Sequence, residues 1–258
     1  MYQQFIQDFM VEAGTIFKKY YFSDKQTIFK SDTTPLTLAD TEINSLFIQR
    51  VQASFPVHAV MGEEESAWVA TEYVWIIDPV DGTIPYSHSM PISTIVVSLL
   101  HFGIPVIGAV YDPIGDKLFW WDGKQSRCNT IPQRVTWEND IKKSVVAIEC
   151  FPRARYDFKK LFWALCDLDI KVMQFCSIAY PSSLVASGEL LATIHPAKHP
   201  REFAAIKPIV EGAWWKVTDL FGEQQTYNHT NCRGWLATNG AMHDFFVDLI
   251  RQNVDLSK

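Results

Sequence analysis

A chain of 258 residues suits one large domain or two closely joined halves. Its hydrophobic content of 48%, with nine Trp and seventeen Phe, supports a sizeable core, and 20% charged residues exclude an intrinsically disordered chain. A formal net charge of −6 without a Lys/Arg-rich run lacks the electrostatic footprint of a nucleic-acid-binding protein.

Phe5, Phe9, Met10, Ala13, Ile16, Phe17 and Tyr20 recur at helical spacing and predict an amphipathic first helix. Met1 to Phe9 carries Asp8 and has no basic stretch ahead of an apolar core, so it does not read as a signal peptide. A polar loop, Lys30 to Pro35, leads to a second helix marked by Ile43, Leu46, Phe47 and Val51. Asp40 or Thr41 lies near its start, where a capping Asp is common. Val57 to Met61 reads as a strand that ends in Gly62-Glu63-Glu64-Glu65. Val74 to Ile77 reads as a buried strand, broken by Asp78-Pro79, because proline has no N–H for the ladder. Pro91 to Tyr111 is long and apolar enough to invite a membrane-spanning reading. Ser93, Ser98, His101, Gly103 and Pro105 interrupt it, and the turn at Phe102-Gly103 predicts two paired strands instead. Lys117 to Trp121 continues the antiparallel series.

A second strand-helix series then begins with Val145 to Glu149. It continues with a helix face (Phe158, Leu161, Phe162, Leu165), a strand (Ile170 to Phe175) and a helix (Ser177 to Ser187) stopped by Gly188. A strand (Leu190 to Ile194), a helix (Glu202 to Glu211), two short strands (Trp215 to Val217, Leu236 to Thr238) and a last helix near His243 complete it. Five scattered cysteines without a CxxC pair read as free thiols in a reducing cytoplasm. The pattern predicts an α/β, layered sandwich of helices and mixed sheets. One domain spans 1–258, with an N-terminal half of about 1–140 and a C-terminal half of about 141–258.

The chemistry concentrates in Trp75-Ile76-Ile77-Asp78-Pro79-Val80-Asp81-Gly82-Thr83. Two carboxylates this close raise each other's pKa unless a cation intervenes, and Gly82 with Thr83 offers close backbone approach beside a hydroxyl. With the Glu63 cluster upstream, the economical reading is a hard-cation site that holds a phosphate. Asp-Pro and Asp-Gly are also ordinary turn residues. The aspartates stand at i and i+3 rather than i and i+2, which disfavours phosphatases of the nucleophilic-aspartate type.

Gly62-Glu63-Glu64 followed by the Trp75–Thr83 run resembles the signature of the inositol monophosphatase family, which are magnesium-dependent, lithium-sensitive phosphatases. The resemblance implies a stacked helix-sheet-helix-sheet-helix sandwich, a homodimer and roughly two or three bound magnesium ions. It implies Glu63, Asp78, Asp81, Glu202 and the Val80 carbonyl as metal ligands. Thr83, backed by Asp40, would orient and help deprotonate the attacking water, with Glu63 also catalytic. The Gly82 and Thr83 amides would hold phosphate oxygens. Glu64 and Glu65 read as solvated or supporting.

Later motifs depart from the family. Arg201-Glu202-Phe203-Ala204-Ala205 stands where the family has Trp-Asp-x-Ala-Ala, so Glu202 replaces a metal-binding Asp. Cys176-Ser177-Ile178-Ala179 replaces a Gly-Ser/Thr-Ala-Ala step, leaving Ser177 to donate to substrate and Cys176 as a packed side chain. His195-Pro196-Ala197-Lys198-His199-Pro200-Arg201 is basic where inositol-cleaving members carry an acid. Three readings stand: His195 packs at a strand end with Lys198 solvated, the segment receives a second phosphate or a carboxylate of the substrate, or His195 or His199 adds a metal ligand. The implied substrate is a small phosphorylated metabolite such as inositol monophosphate. Fructose bisphosphate and 3′-phosphoadenosine 5′-phosphate are alternatives, with no nucleic-acid or membrane partner. A degenerate member that binds without turnover is the competing class.

Overall fold

The periodic apolar residues of the first fifty positions form two helices that pack on each other, α1 (Tyr2–Tyr21) and α2 (Leu38–Ser54). Between them run the short strands β1 (Ile28–Phe29) and β2 (Pro35–Leu36). The structure, a computed structural model, describes residues 1–29, 35–134, 141–151, 154–196, 200–225 and 232–257; for 200–202 it describes only the backbone.

Among the described residues a seven-stranded sheet follows chain order. Its strands are β3 (Ala59–Gly62), β4 (Tyr73–Asp81), β5 (Thr94–His101), β6 (Ile104–Asp112), β7 (Lys117–Trp121), β8 (Ser126–Cys128) and β9 (Ile131–Pro132). β3 and β4 are parallel and the rest pair antiparallel, so the Pro91–Tyr111 stretch is the β5–β6 hairpin expected from its turn. The short helix α3 (Thr83–Ser87) leaves the end of β4.

The second half supplies β10 (Val145–Ile148), α4 (Lys159–Asp167), β11 (Lys171–Met173), α5 (Ala179–Ala186) and β12 (Ala192–His195). Then come α6 (Pro200–Gly212), β13 (Lys216–Thr218), β14 (Trp235–Thr238) and α7 (His243–Asn253). Its strands lie in the order β11-β10-β12-β14-β13, parallel around β10 and antiparallel beyond β12.

Strand alternation builds the layers. Trp75, Ile77, Val97 and Leu99 bury one face of the larger sheet against Phe9, Phe17, Ile43 and Phe47 of α1 and α2. Ile76, Val96 and Leu100 bury the other face against Val185, Phe203 and Ile206 of α5 and α6. Contact there is close: a Cβ on Gly108 of β6 would lie 2.2 Å from the Ala205 carbonyl, so glycine lets α6 lie directly on the sheet. Trp235 and Ala237 close the middle layer from β14, while Leu236, Ile194 and Val146 face outward onto Leu161 of α4 and Phe246 of α7. The result is the predicted helix-sheet-helix-sheet-helix stack. No helix of the described residues is long and apolar enough to cross a membrane.

Sequence reasoning ended the central strand at Asp78-Pro79, whereas β4 continues to Asp81. Its pairing with β5 shifts register between Asp78 and Asp81. Pro79 sits inside this β-bulge, where no ladder hydrogen bond is asked of its missing N–H.

Candidate active site

The bulge decides where the two aspartates point. Asp78 pairs with Val96 and Asp81 with Thr94, residues two apart on β5 and therefore on one face of the sheet. Val96 faces the middle helical layer, so both carboxylates are presented toward α5 and α6. In an unbulged strand an i, i+3 pair would split across the sheet. Both are buried, at 5% exposure each.

Asp81 is clamped by the start of α5. Its Oδ2 accepts the Ser177 hydroxyl, the Ala179 amide at 3.0 Å and the Thr94 hydroxyl at 3.3 Å; its Oδ1 accepts the Ile178 amide at 3.2 Å. Carboxylates are favoured at a helix N-terminus, yet burial dominates here and raises the Asp81 pKa. Ser177, expected to donate to substrate, thus spends its hydroxyl on Asp81.

Gly82 follows at φ +81°, a left-handed turn that glycine adopts without strain, and its carbonyl accepts the Ser93 hydroxyl at 2.8 Å. The helix it starts is only Thr83–Ser87, so local N–H groups rather than a long dipole would face an anion there. The expected pairing of Thr83 with Asp40 is not formed. Thr83 donates to the Val80 carbonyl at 3.0 Å, which joins two of the predicted site atoms to each other. Asp40 instead completes a capping box: its Oδ2 accepts the Thr37 amide at 2.8 Å and the Thr37 hydroxyl at 2.5 Å. Asp40 is buried, and its pKa rises to about 7, first through burial and then through the nearby charges of Glu63 and Glu64.

The acidic loop after β3 is held from α2. The Asn44 side-chain amide donates to the Glu65 carbonyl at 3.0 Å, and the Gly62 amide donates to the Ser66 hydroxyl at 3.2 Å. Glu63 and Glu64 are half-buried there, while Glu65 is exposed. Glu202 lies in the first turn of α6, but its side chain is outside the described residues, as are Lys198 and His199. His195, at the end of β12, packs its ring edgewise to Phe151 and Phe203. Burial lowers its pKa to about 3, so it is neutral near pH 7 and brings no positive charge to an anion.

Two contributors escaped the sequence reading: Asn44 and Glu149. Glu149 is fully buried at the end of β10 and accepts the amides of Phe175 at 2.7 Å and Cys176 at 3.0 Å, just ahead of α5. Burial raises its pKa to about 7, with a further push from Asp81. The signal was present, since Glu149 ends an apolar strand run as Glu63 and Asp78 do.

Among the described residues no salt bridge reaches Asp40, Asp81 or Glu149, and no group of three His, Cys, Asp or Glu side chains is arranged to hold a metal ion. The donor chemistry is that of a hard cation: buried carboxylates of Asp40, Asp78 and Asp81 beside Glu63, with no thiolate among them. The Cys176 thiol is itself pushed up by burial and by Glu149, which suits a packed side chain rather than a nucleophile.

The family model described as the inositol monophosphatase family matches residues 2–255. The chain belongs to this family. Members of the inositol monophosphatase family are phosphatases that hydrolyse phosphate monoesters. A bifunctional phosphatase, IMPL2, from Arabidopsis thaliana is 26% identical over 82% of this chain and 62% of its own length. A histidinol-phosphatase from Chlorobaculum parvum is 27% identical over 90% of this chain and 89% of its own. The chain spans between 52% and 62% of the length of the first plant relatives it matches. The solved inositol monophosphatase of Anabaena (Nostoc) superposes with a TM-score of 0.84 at 25% identity, covering 98% of each chain.

Proposed function

We propose that the chain is a magnesium-dependent phosphomonoesterase that hydrolyses a small phosphorylated metabolite, with inositol monophosphate as the reference substrate. The observation that carries this reading is the bulged end of β4, which brings Asp78 and Asp81 to one face beside the Glu63 loop, with no salt bridge to Asp81 among the described residues. Asp78, Asp81, Glu63 and the Val80 carbonyl, with Glu202 from α6, would hold the ions. Bound magnesium supplies charge neutralisation at the phosphate and a lower pKa for the attacking water. The chain's own residues do the rest. Gly82 takes a left-handed turn packed against Pro85 and Ser177, and the Gly82 and Thr83 amides would bind the phosphate oxygens. Thr83, whose hydroxyl donates to the Val80 carbonyl at 3.0 Å, would orient the attacking water. Ser177 and the first amides of α5 fix the Asp81 carboxylate in one orientation.

Burial leaves the His195 imidazole neutral near pH 7, so it adds no charge of its own for a second phosphate, and the substrate panel separates a monophosphate from fructose bisphosphate and 3′-phosphoadenosine 5′-phosphate. A cytoplasmic homodimer completes the proposal. The competing reading, a binding protein without turnover, is favoured by the exchange of Glu202 for the family's aspartate.

The deciding experiment is phosphate release after chelation and magnesium add-back, with and without lithium. The substrate panel holds inositol monophosphate, histidinol phosphate, fructose bisphosphate and 3′-phosphoadenosine 5′-phosphate. Magnesium-restored, lithium-inhibited release from a monophosphate is expected. Magnesium-independent release, or none from any substrate, would defeat the proposal.

A further inference from the structure

Glu149 directly follows β10 of the smaller sheet, and its amide donates to the Ile194 carbonyl at 3.1 Å, tying it to β12. Its two carboxylate oxygens take the successive amides of Phe175 and Cys176, and the Ser177 amide adds to the same cradle. Cys176 stands at φ +51°, a left-handed conformation that is strained for a non-glycine residue and persists only where the surroundings impose it. Immediately after this strained residue come the three donors that clamp Asp81: the Ser177 hydroxyl and the amides of Ile178 and Ala179. Glu149 touches neither of the last two amides directly. A buried carboxylate with no salt bridge among the described residues is a costly choice for a strand end, and here it grips the one turn that aims donors across the middle layer at β4.

We propose that Glu149 is a positioning residue: it imposes the left-handed turn at Cys176 and thereby aims the start of α5 at Asp81. The turn it holds is the same turn that the proposed phosphatase reaction uses to orient Asp81, so the kinetic consequence rests on that reading, whereas the structural consequence does not.

The test is amide hydrogen exchange at Ile178 and Ala179 in the full chain carrying Glu149→Gln, which keeps the volume but points an N–H₂ group at an N–H. Exchange of those two amides is expected to quicken about tenfold, with the β5 and β6 amides unchanged. Adding Cys176→Gly, which adopts the turn without being forced, should recover part of the protection. Unchanged exchange at Ile178 and Ala179, or a loss spread evenly over both sheets, would overturn the assignment. Should Glu149→Gln alone fail to fold, Glu149→Gln/Cys176→Gly is compared with Cys176→Gly: the same local loss supports the role, and equal protection overturns it. In the kinetic arm kcat is expected to fall about tenfold to a hundredfold with KM little moved, as for a misaimed catalytic group. A wild-type chain that releases no phosphate removes the phosphatase reading and leaves the exchange result to decide on Glu149.

Discussion

Asp81, at the end of β4, accepts the hydroxyl of Ser177, 96 positions later and just before α5. This hydrogen bond fastens the motif strand of the larger sheet to the helical layer between the sheets. Ser177→Ala removes one of the donors to a buried carboxylate and leaves the Ile178 and Ala179 amides in place. The expected cost is about 1.5–3 kcal/mol of stability, measured by urea unfolding. A midpoint equal to the wild type would show that the bond is dispensable. Asp81→Asn, which keeps shape but loses charge, is expected to lower kcat on a monophosphate about 10²–10³-fold; full activity in this variant would remove Asp81 from the site.

Asp40 and Thr37 form the capping box of α2. Thr37→Ala removes the hydroxyl that donates to Asp40 and is expected to destabilise the chain by about 1 kcal/mol, with little change in kcat. A kcat loss as large as that of Asp81→Asn, without loss of stability, would show that Thr37 serves the reaction rather than the helix.

The loop that bears Glu63 has no room at Gly62: a Cβ there would lie 2.2 Å from the Glu65 carbonyl and 2.3 Å from Asn44 Oδ1. Gly62→Ala must displace backbone or the buried Asn44 side chain, so a loss of about 1–3 kcal/mol is expected, together with weaker magnesium dependence. Calorimetric melting checks the first and a magnesium titration of activity the second. An unshifted melting temperature would mean that the loop relaxes freely.

Burial raises Glu149 from an ordinary 4.5 to about 7. Between those values the folded chain holds a proton that the unfolded chain has released. The stability this group contributes is therefore fully present below about pH 4.5 and is lost as the pH rises to about 7. His195 and His243, lowered by burial to about 3 and about 4, act in the opposite sense below pH 6.5, so the comparison between variants isolates Glu149. Glu149→Gln is expected to gain stability relative to the wild type as pH rises from 4.5 to 7.5, by up to about 1.4 kcal/mol per unit. A difference that stays constant across that range contradicts the raised value.

Layer order was legible because each apolar run carries its own period and ends at turn residues; β5, β6 and α5 fall where their patterns put them. The end of β4 was misplaced because a rule about ladder N–H groups is suspended inside a bulge, and a bulge leaves no mark in composition. Thr37-x-x-Asp40 spells a capping box ahead of an apolar run, so the Asp40 partner could have been read from the chain. The Asp81–Ser177 contact could not, since nothing local links residues that far apart. The neutrality of His195 likewise depends on two aromatic neighbours, Phe151 and Phe203, that only the folded chain supplies.

The extra residue in β4 also sets a reading frame. Removing Pro79 or Val80 would restore plain alternation and leave the two acids a two-residue step apart, still on a shared side. Inserting one residue would likewise give an even step, of four residues, that plain alternation keeps on a shared side but farther apart. The odd step between the aspartates is thus the one that depends on the bulge, so ironing the bulge out at unchanged length should turn one acid outward, toward Phe47 and α2.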